Sequence, residues 1–199
     1  MKTLSRISLI IFLAMPFFAD AETAANWDRQ WCSTCHGLGG KTTSEQFPML
    51  AGQPAPYLVK QLKAYKDKTR SNLNAQRFMW GMAARLSDEE IAEIATHYES
   101  QIPNHPGKVT NQIKYDEGLN LYLHGNADKG VPACALCHGD KAQGMGEMPR
   151  LASQHEEYLK KQLKVFYGNE RPAAMAMHEI VKGLSDNDIE ALSQYLQAQ

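Results

Sequence analysis

The chain has 199 residues, with 21 basic against 22 acidic side chains and 43% hydrophobic residues. So even a balance excludes a nucleic-acid binder that works by bulk positive charge, and this apolar share excludes both a disordered chain and a multi-span membrane protein. Four Cys and nine Met remain to be explained.

The chain opens with the basic segment Met1 to Arg6. Ile7 to Ala19 follows, apolar apart from Ser8, and then Ala19-Asp20-Ala21, the small-x-small form of a signal-peptidase site. The apolar run is too short to span a bilayer, so residues 1–21 read as a secretory signal cut after Ala21. Ala24 to Trp31 reads as a short helix. It leads into Cys32-Ser33-Thr34-Cys35-His36, a Cys-x-x-Cys-His pentapeptide that returns as Cys134-Ala135-Leu136-Cys137-His138. On a helical turn, two such thiols can each add across a vinyl group of one haem, and the following His offers a ring nitrogen to iron. Two disulfides, a four-thiolate zinc site and a thioredoxin-like redox pair are the competing readings. All three leave the His after each Cys pair without a role. Two covalently bound haem c groups, on Cys32, Cys35, Cys134 and Cys137, are the expectation.

The rest of the chain is a tandem repeat. Pro48-Met49-Leu50-Ala51-Gly52-Gln53 recurs as Pro149-Arg150-Leu151-Ala152-Ser153-Gln154, and Tyr57 to Leu62 recurs as Tyr158 to Leu163. Leu58, Leu62 and Tyr65 fall on one helical stripe, repeated by Leu159, Leu163 and Phe166. Ser153 and Glu156 have capping-box spacing before the second copy of that helix. Lys60, Lys63, Lys66, Lys68 and Arg70 form a basic run, read as a solvated helix face or as a dock for an acidic partner. Ser87 with Glu90, and Ser185 with Asp188, mark the starts of the last helices. Ile91, Ile94 and Tyr98 give the apolar face of one, and Ile189, Leu192 and Leu196 that of the other. Residues 102–111, with Pro103, Pro106 and Gly107, read as a linker between units 22–101 and 112–199, and His105 as a solvated loop residue. Lys114 to His124 reads as a helix. No alternating strand pattern appears, so the expected fold is all-α, two small domains each completed by its haem.

An iron held by His alone stays open to ligands, whereas a thioether on the far side makes an electron carrier and favours the ferrous state. The repeat selects among the Met residues. Met79 stands as far before Ser87 as Met177 stands before Ser185, whereas Met49, Met82, Met148 and Met175 have no Met opposite them. The expected iron ligands are His36 with Met79 and His138 with Met177. His178, beside Met177, is a competitor that breaks the register.

These motifs together resemble the dihaem cytochrome c4 family: two Cys-x-x-Cys-His sites, Phe47-Pro48-x-Leu50-Ala51-Gly52-Gln53, Tyr57-Leu58-x-Lys60-Gln61-Leu62, and Met79 to Asp88. The resemblance implies two class I cytochrome c domains and a periplasmic electron carrier, in some members loosely held at the membrane. Its donor would be a quinol-oxidising cytochrome complex and its acceptor a terminal oxidase, with no small-molecule substrate and no catalysis. The alternative it implies is the cytochrome subunit of a flavin-dependent sulfide dehydrogenase. It further implies that Pro48 and Pro149 offer backbone carbonyls to the rings of His36 and His138. Gly118, Leu121 and Tyr122 would fit a first helix crossing the last near Tyr195. Ala25 replaces the family's Gly in the first unit, and His97 stands where the second unit has Tyr195.

Overall fold

The computed structural model describes residues 24–199; the expected signal at 1–21 lies outside them. Ten α-helical segments follow one another, and among the described residues the only β-type pairings are two isolated bridges, Asn126 with Val131 and Met145 with Met148. In the first unit these are α1 (Ala24–Trp27), α2 (Ser33–His36), α3 (Ala55–Lys66), α4 (Trp80–Ala83) and α5 (Asp88–Glu99). In the second they are α6 (Gln112–His124), α7 (Ala135–His138), α8 (Glu156–Val165), α9 (Met175–Val181) and α10 (Asp186–Gln197). Among the described residues no helix is long and apolar enough to cross a membrane.

The long helices start where local chemistry starts them. Ser87 Oγ accepts from Glu90 N–H at 3.1 Å, and the Glu90 carboxylate accepts from Ser87 N–H at 2.6 Å. Ser185 and Asp188 make the same reciprocal pair at the head of α10, at 3.2 and 2.8 Å. Each box satisfies two backbone donors that no helix could otherwise bond. The Ser153–Glu156 box does not form. Ser153 sits at φ +60° in the turn before α8, its hydroxyl donates to the carbonyl of Gln199, and the helix starts after His155.

The apolar stripes predicted for α3, α5, α8 and α10 face inward, with Leu58, Ile91, Ile94, Tyr98, Leu159, Ile189, Leu192 and Leu196 all buried. α10 crosses α6 at Gly118. A Cβ added there would lie 2.0 Å from the Ala191 carbonyl oxygen and 2.8 Å from the Tyr195 Cβ, so only glycine permits this approach. Among the described residues the first unit has no long counterpart of α6. Its α1 runs through a wide helical turn, Asp28–Cys32, directly into α2. The turn carries Asp28, buried, whose carboxylate accepts from Tyr98 Oη–H at 2.9 Å and Gly39 N–H at 2.9 Å and lies 3.3 Å from His97 Nε2. Residues 102–111 have no regular structure and lie against both units: Pro103 packs on Gly52, Asn104 Nδ2 reaches Met49 Sδ at 3.2 Å, and Gly107 N–H donates to the Gln197 carbonyl at 2.7 Å. His105 is exposed.

Candidate haem site

Both Cys-x-x-Cys-His motifs end on one-turn helices, α2 and α7, and both histidines are buried. His36 Nδ1–H donates to the Pro48 carbonyl at 2.9 Å, and His138 Nδ1–H to the Pro149 carbonyl at 3.0 Å. That bond fixes the tautomer and leaves Nε2, with its lone pair, as the nitrogen available to a metal. Burial lowers the pKa of both rings and outweighs the opposing effect of the proline carbonyls, so both imidazoles are neutral at physiological pH. All four thiols are free. Burial pushes Cys134 up to about 11 and raises Cys32, the reverse of the lowered thiol that a thioredoxin-like pair requires. Among the described residues no cluster of three or more His, Cys, Asp or Glu side chains is placed to hold a metal.

One continuous cavity of about 830 Å³ runs through both units, largely apolar in lining. Its wall includes Cys32, Cys35, His36 and Met79 from the first unit and Cys134, Cys137, His138 and Met177 from the second. Met49, Met82, Met148 and Met175 also reach this wall, so position alone does not single out the repeat-related pair. Packing does more. Met79 lies against the small core of Tyr65, Ala75 and Ala83, and Met177 against the main core of the second unit, whereas Met175 is 76% exposed.

His178 does not reach the wall. Its Nδ1 lies 2.6 Å from the Phe166 carbonyl and its Nε2 3.0 Å from the Arg171 carbonyl, so both ring nitrogens face backbone oxygens and not the cavity. Its counterpart after Met79 is Trp80, whose Nε1–H donates to the Arg70 carbonyl at 2.9 Å. Different rings thus set a nitrogen against the Arg carbonyl behind each Met segment.

The middle of the cavity is polar, and sequence reasoning missed it. Arg70 and Arg171 are 4% and 8% exposed. Arg70 donates to Gln61 Oε1 at 2.7 Å and to Gln162 Oε1 at 2.9 Å; Arg171 donates to Gln162 Oε1 at 2.9 Å and to Gln61 Oε1 at 3.3 Å. The guanidiniums stack on Tyr65 and Phe166 at 4.8 and 4.4 Å. Neither arginine has a carboxylate partner among the described residues. Burial raises the Tyr57 phenol, but Arg171 and Arg70 outweigh it and bring its pKa below the ordinary value. Two buried cations without counter-ions are costly, and this cavity favours an anion.

The basic run therefore does not form one face. α3 ends at Lys66, Lys68 turns the chain at φ +59°, and Arg70 points inward. Lys60 pairs with Glu147 of the second unit at 2.7 Å and Lys63 with Asp88 at 3.1 Å.

An apolar cavity, two thiols and a tautomer-locked imidazole in each unit, and buried cations to meet carboxylates together fit haem. The comparisons agree. A family model described as cytochrome c matches residues 22–100 and 124–199. A cytochrome c4 from Thiocapsa roseopersicina is 39% identical over 92% of this chain and 95% of its own length. A thiosulfate dehydrogenase electron acceptor from Thiomonas intermedia is 36% identical over 84% of this chain and 78% of its own. A solved cytochrome c4 from Acidithiobacillus ferrooxidans superposes with a TM-score of 0.79 at 33% identity, covering 84% of this chain and 98% of that one. The class is thus a tandem, all-α cytochrome c. The chain belongs to the dihaem cytochrome c4 family. It carries two covalently bound haem c groups and is an electron carrier that works with protein redox partners.

Proposed function

We propose that the chain carries single electrons in the periplasm, from a quinol-oxidising cytochrome complex to a terminal oxidase. Cys32 and Cys35 attach one haem and Cys134 and Cys137 the other. His36 with Met79, and His138 with Met177, hold the two irons. The domains run over 22–101 and 112–199, joined by 102–111, after export directed by residues 1–21. The observation that carries the reading is the repeated bond from a buried His Nδ1–H to a proline carbonyl, on a cavity wall that also holds a Met at the same repeat position.

When bound, haem iron supplies the one-electron couple. His36 with Met79, and His138 with Met177, would hold each iron through side chains already packed in place, so little would have to move as its charge changes. The proline carbonyls orient the imidazoles. The apolar wall excludes water, and Arg70 and Arg171 would pair with the haem carboxylates, which would also offset their own burial.

The test is a haemochrome count with ferric spectra. Two haems per chain are expected, with a thioether–iron charge-transfer band that falls by half in Met79→Ala and by half in Met177→Ala. A band unchanged by either substitution overturns the axial assignment.

A second reading, that the chain accepts electrons from a periplasmic sulfur-oxidising enzyme, is supported by the relative named as a thiosulfate dehydrogenase electron acceptor. Rapid reduction of the ferric protein by such an enzyme, with none by the quinol-oxidising complex, would favour it. Copurification with a flavoprotein at fixed stoichiometry would instead favour the sulfide dehydrogenase subunit.

A further inference from the structure

Gln53 and Gln154 close the repeated motif around Pro48 and Pro149. Both are buried and both reach across to the other unit. The Gln154 side chain accepts from Met49 N–H at 3.0 Å and donates to the Met49 carbonyl at 3.1 Å. The Gln53 side chain accepts from Arg150 N–H at 2.6 Å and donates to the Arg150 carbonyl at 3.1 Å. Donor and acceptor are both used in each case, so neither amide can be turned over without losing both bonds.

The bonded atoms lead to the metal sites. Met49 N–H and the Pro48 carbonyl belong to one peptide group, and that carbonyl holds His36 Nδ1–H. A continuous chain therefore runs Gln154 Oε1, Met49 N–H, Pro48 C=O, His36 Nδ1–H. The twin runs Gln53 Oε1, Arg150 N–H, Pro149 C=O, His138 Nδ1–H. Hydrogen bonds in series polarise one another. An acceptor on the peptide N–H places more negative charge on the peptide oxygen, which pulls harder on the imidazole proton. A more basic imidazole stabilises ferric iron and lowers the potential.

We propose that Gln53 and Gln154 are positioning residues that act in trans, each setting the reduction potential of the haem in the opposite unit. The inference rests on His36 and His138 being iron ligands. Docking of the units then lowers both potentials, and each site depends on its neighbour's presence. The shorter Gln53–Arg150 bond makes the second unit's haem the more sensitive.

The experiment is a two-step redox titration of the holoprotein, with each haem assigned from its hyperfine-shifted proton resonances. Gln154→Met keeps the side-chain length and removes both bonds. It should raise the midpoint of the first unit's haem and leave the second's in place. Gln53→Met should raise the second's, by more, and leave the first's in place. A shift confined to the substituted unit, equal shifts at both haems, or no shift overturns the proposal. Small-angle scattering confirms that the units stay docked. If Gln154→Met separates them, Gln154→Asn is scored by the same outcomes, because its shorter amide cannot reach both groups of Met49. A separate variant, His36→Ala, reports on the ligand reading: an unchanged low-spin ferric spectrum would refute that reading, whatever the Gln variants do.

Discussion

The two units build the same cavity on different frames. In the second, α6 and α10 cross closely on Gly118, and one core cluster runs from Leu121 to Leu196. In the first, a four-residue α1 and a wide turn replace the long helix, buried Asp28 ties that turn to α5, and the core is split into two clusters. Even the turn before the Pro-containing motif differs: Gly40 takes φ +76° in the first unit, and Ala142 takes φ +53° in the second. What repeats is a set of contacts in and just behind the cavity wall: the His–proline bond, the Gln reaching across, the buried Arg, and a ring nitrogen on the Arg carbonyl. The comparison teaches that the cavity wall constrains this chain more tightly than its outer scaffold does.

Gly118→Ala should break the second unit's frame outright. Its methyl would overlap backbone, and overpacking of this kind costs about 3 kcal/mol or more. Ala25→Gly, in the looser first unit, should cost less than about 1 kcal/mol. Calorimetry of the holoprotein should show the first change as a large fall in unfolding temperature and the second as a small one.

The left-handed turn sharpens the contrast. Gly40→Ala should cost about 2 kcal/mol, because the new Cβ would lie 2.8 Å from both Leu50 Cβ and Ala51 N. Ala142→Gly should stay within about 1 kcal/mol of neutral, since relief of backbone strain offsets the lost buried methyl and the added chain freedom. Denaturant titration checks both.

The braces behind the Met segments come next. Trp80→Phe removes one hydrogen bond and should cost about 1 kcal/mol; His178→Phe removes the one N–H that a neutral imidazole can donate to the carbonyls around it and should cost about the same. In both, the thioether–iron band should weaken in the affected unit only.

The caps should give the smallest difference between units. Ser87→Ala and Ser185→Ala should each cost about 1 kcal/mol. Burial raises the Asp188 carboxyl, but bonds from Lys129 and Ser185 outweigh it and hold its pKa below the ordinary aspartate value. A depressed folded pKa means that this contribution is complete above the ordinary value. It is lost as pH falls through the lowered one, which titration of α10 unfolding against pH would register.

The helical stripes, both capping boxes on α5 and α10, the haem motifs and the register of Met79 with Met177 were legible in the sequence because each is a local or repeated spacing. The central polar group was not. Arg70 looks like the end of a lysine run, and nothing nearby announces that helix α3 stops at Lys66 or that Lys68 turns the chain inward. Its partner Gln162, and the partners of Gln53 and Gln154, lie in the other unit, beyond any local pattern. The Ser153 cap misled because the same side chain was required elsewhere: the turn puts Ser153 at positive φ and its hydroxyl on the C-terminal residue. His178 looked like a rival iron ligand for want of the knowledge that Phe166 and Arg171 carbonyls flank it.

Residues 102–111 are pinned to both units, by Pro103 on Gly52 and by Gly107 on Gln197. The tether therefore does not let the two halves tumble as beads on a string. Electron exchange between the haems need not wait for a diffusive encounter, so its rate should be indifferent to solvent viscosity, while exchange with a separate partner slows as the medium thickens.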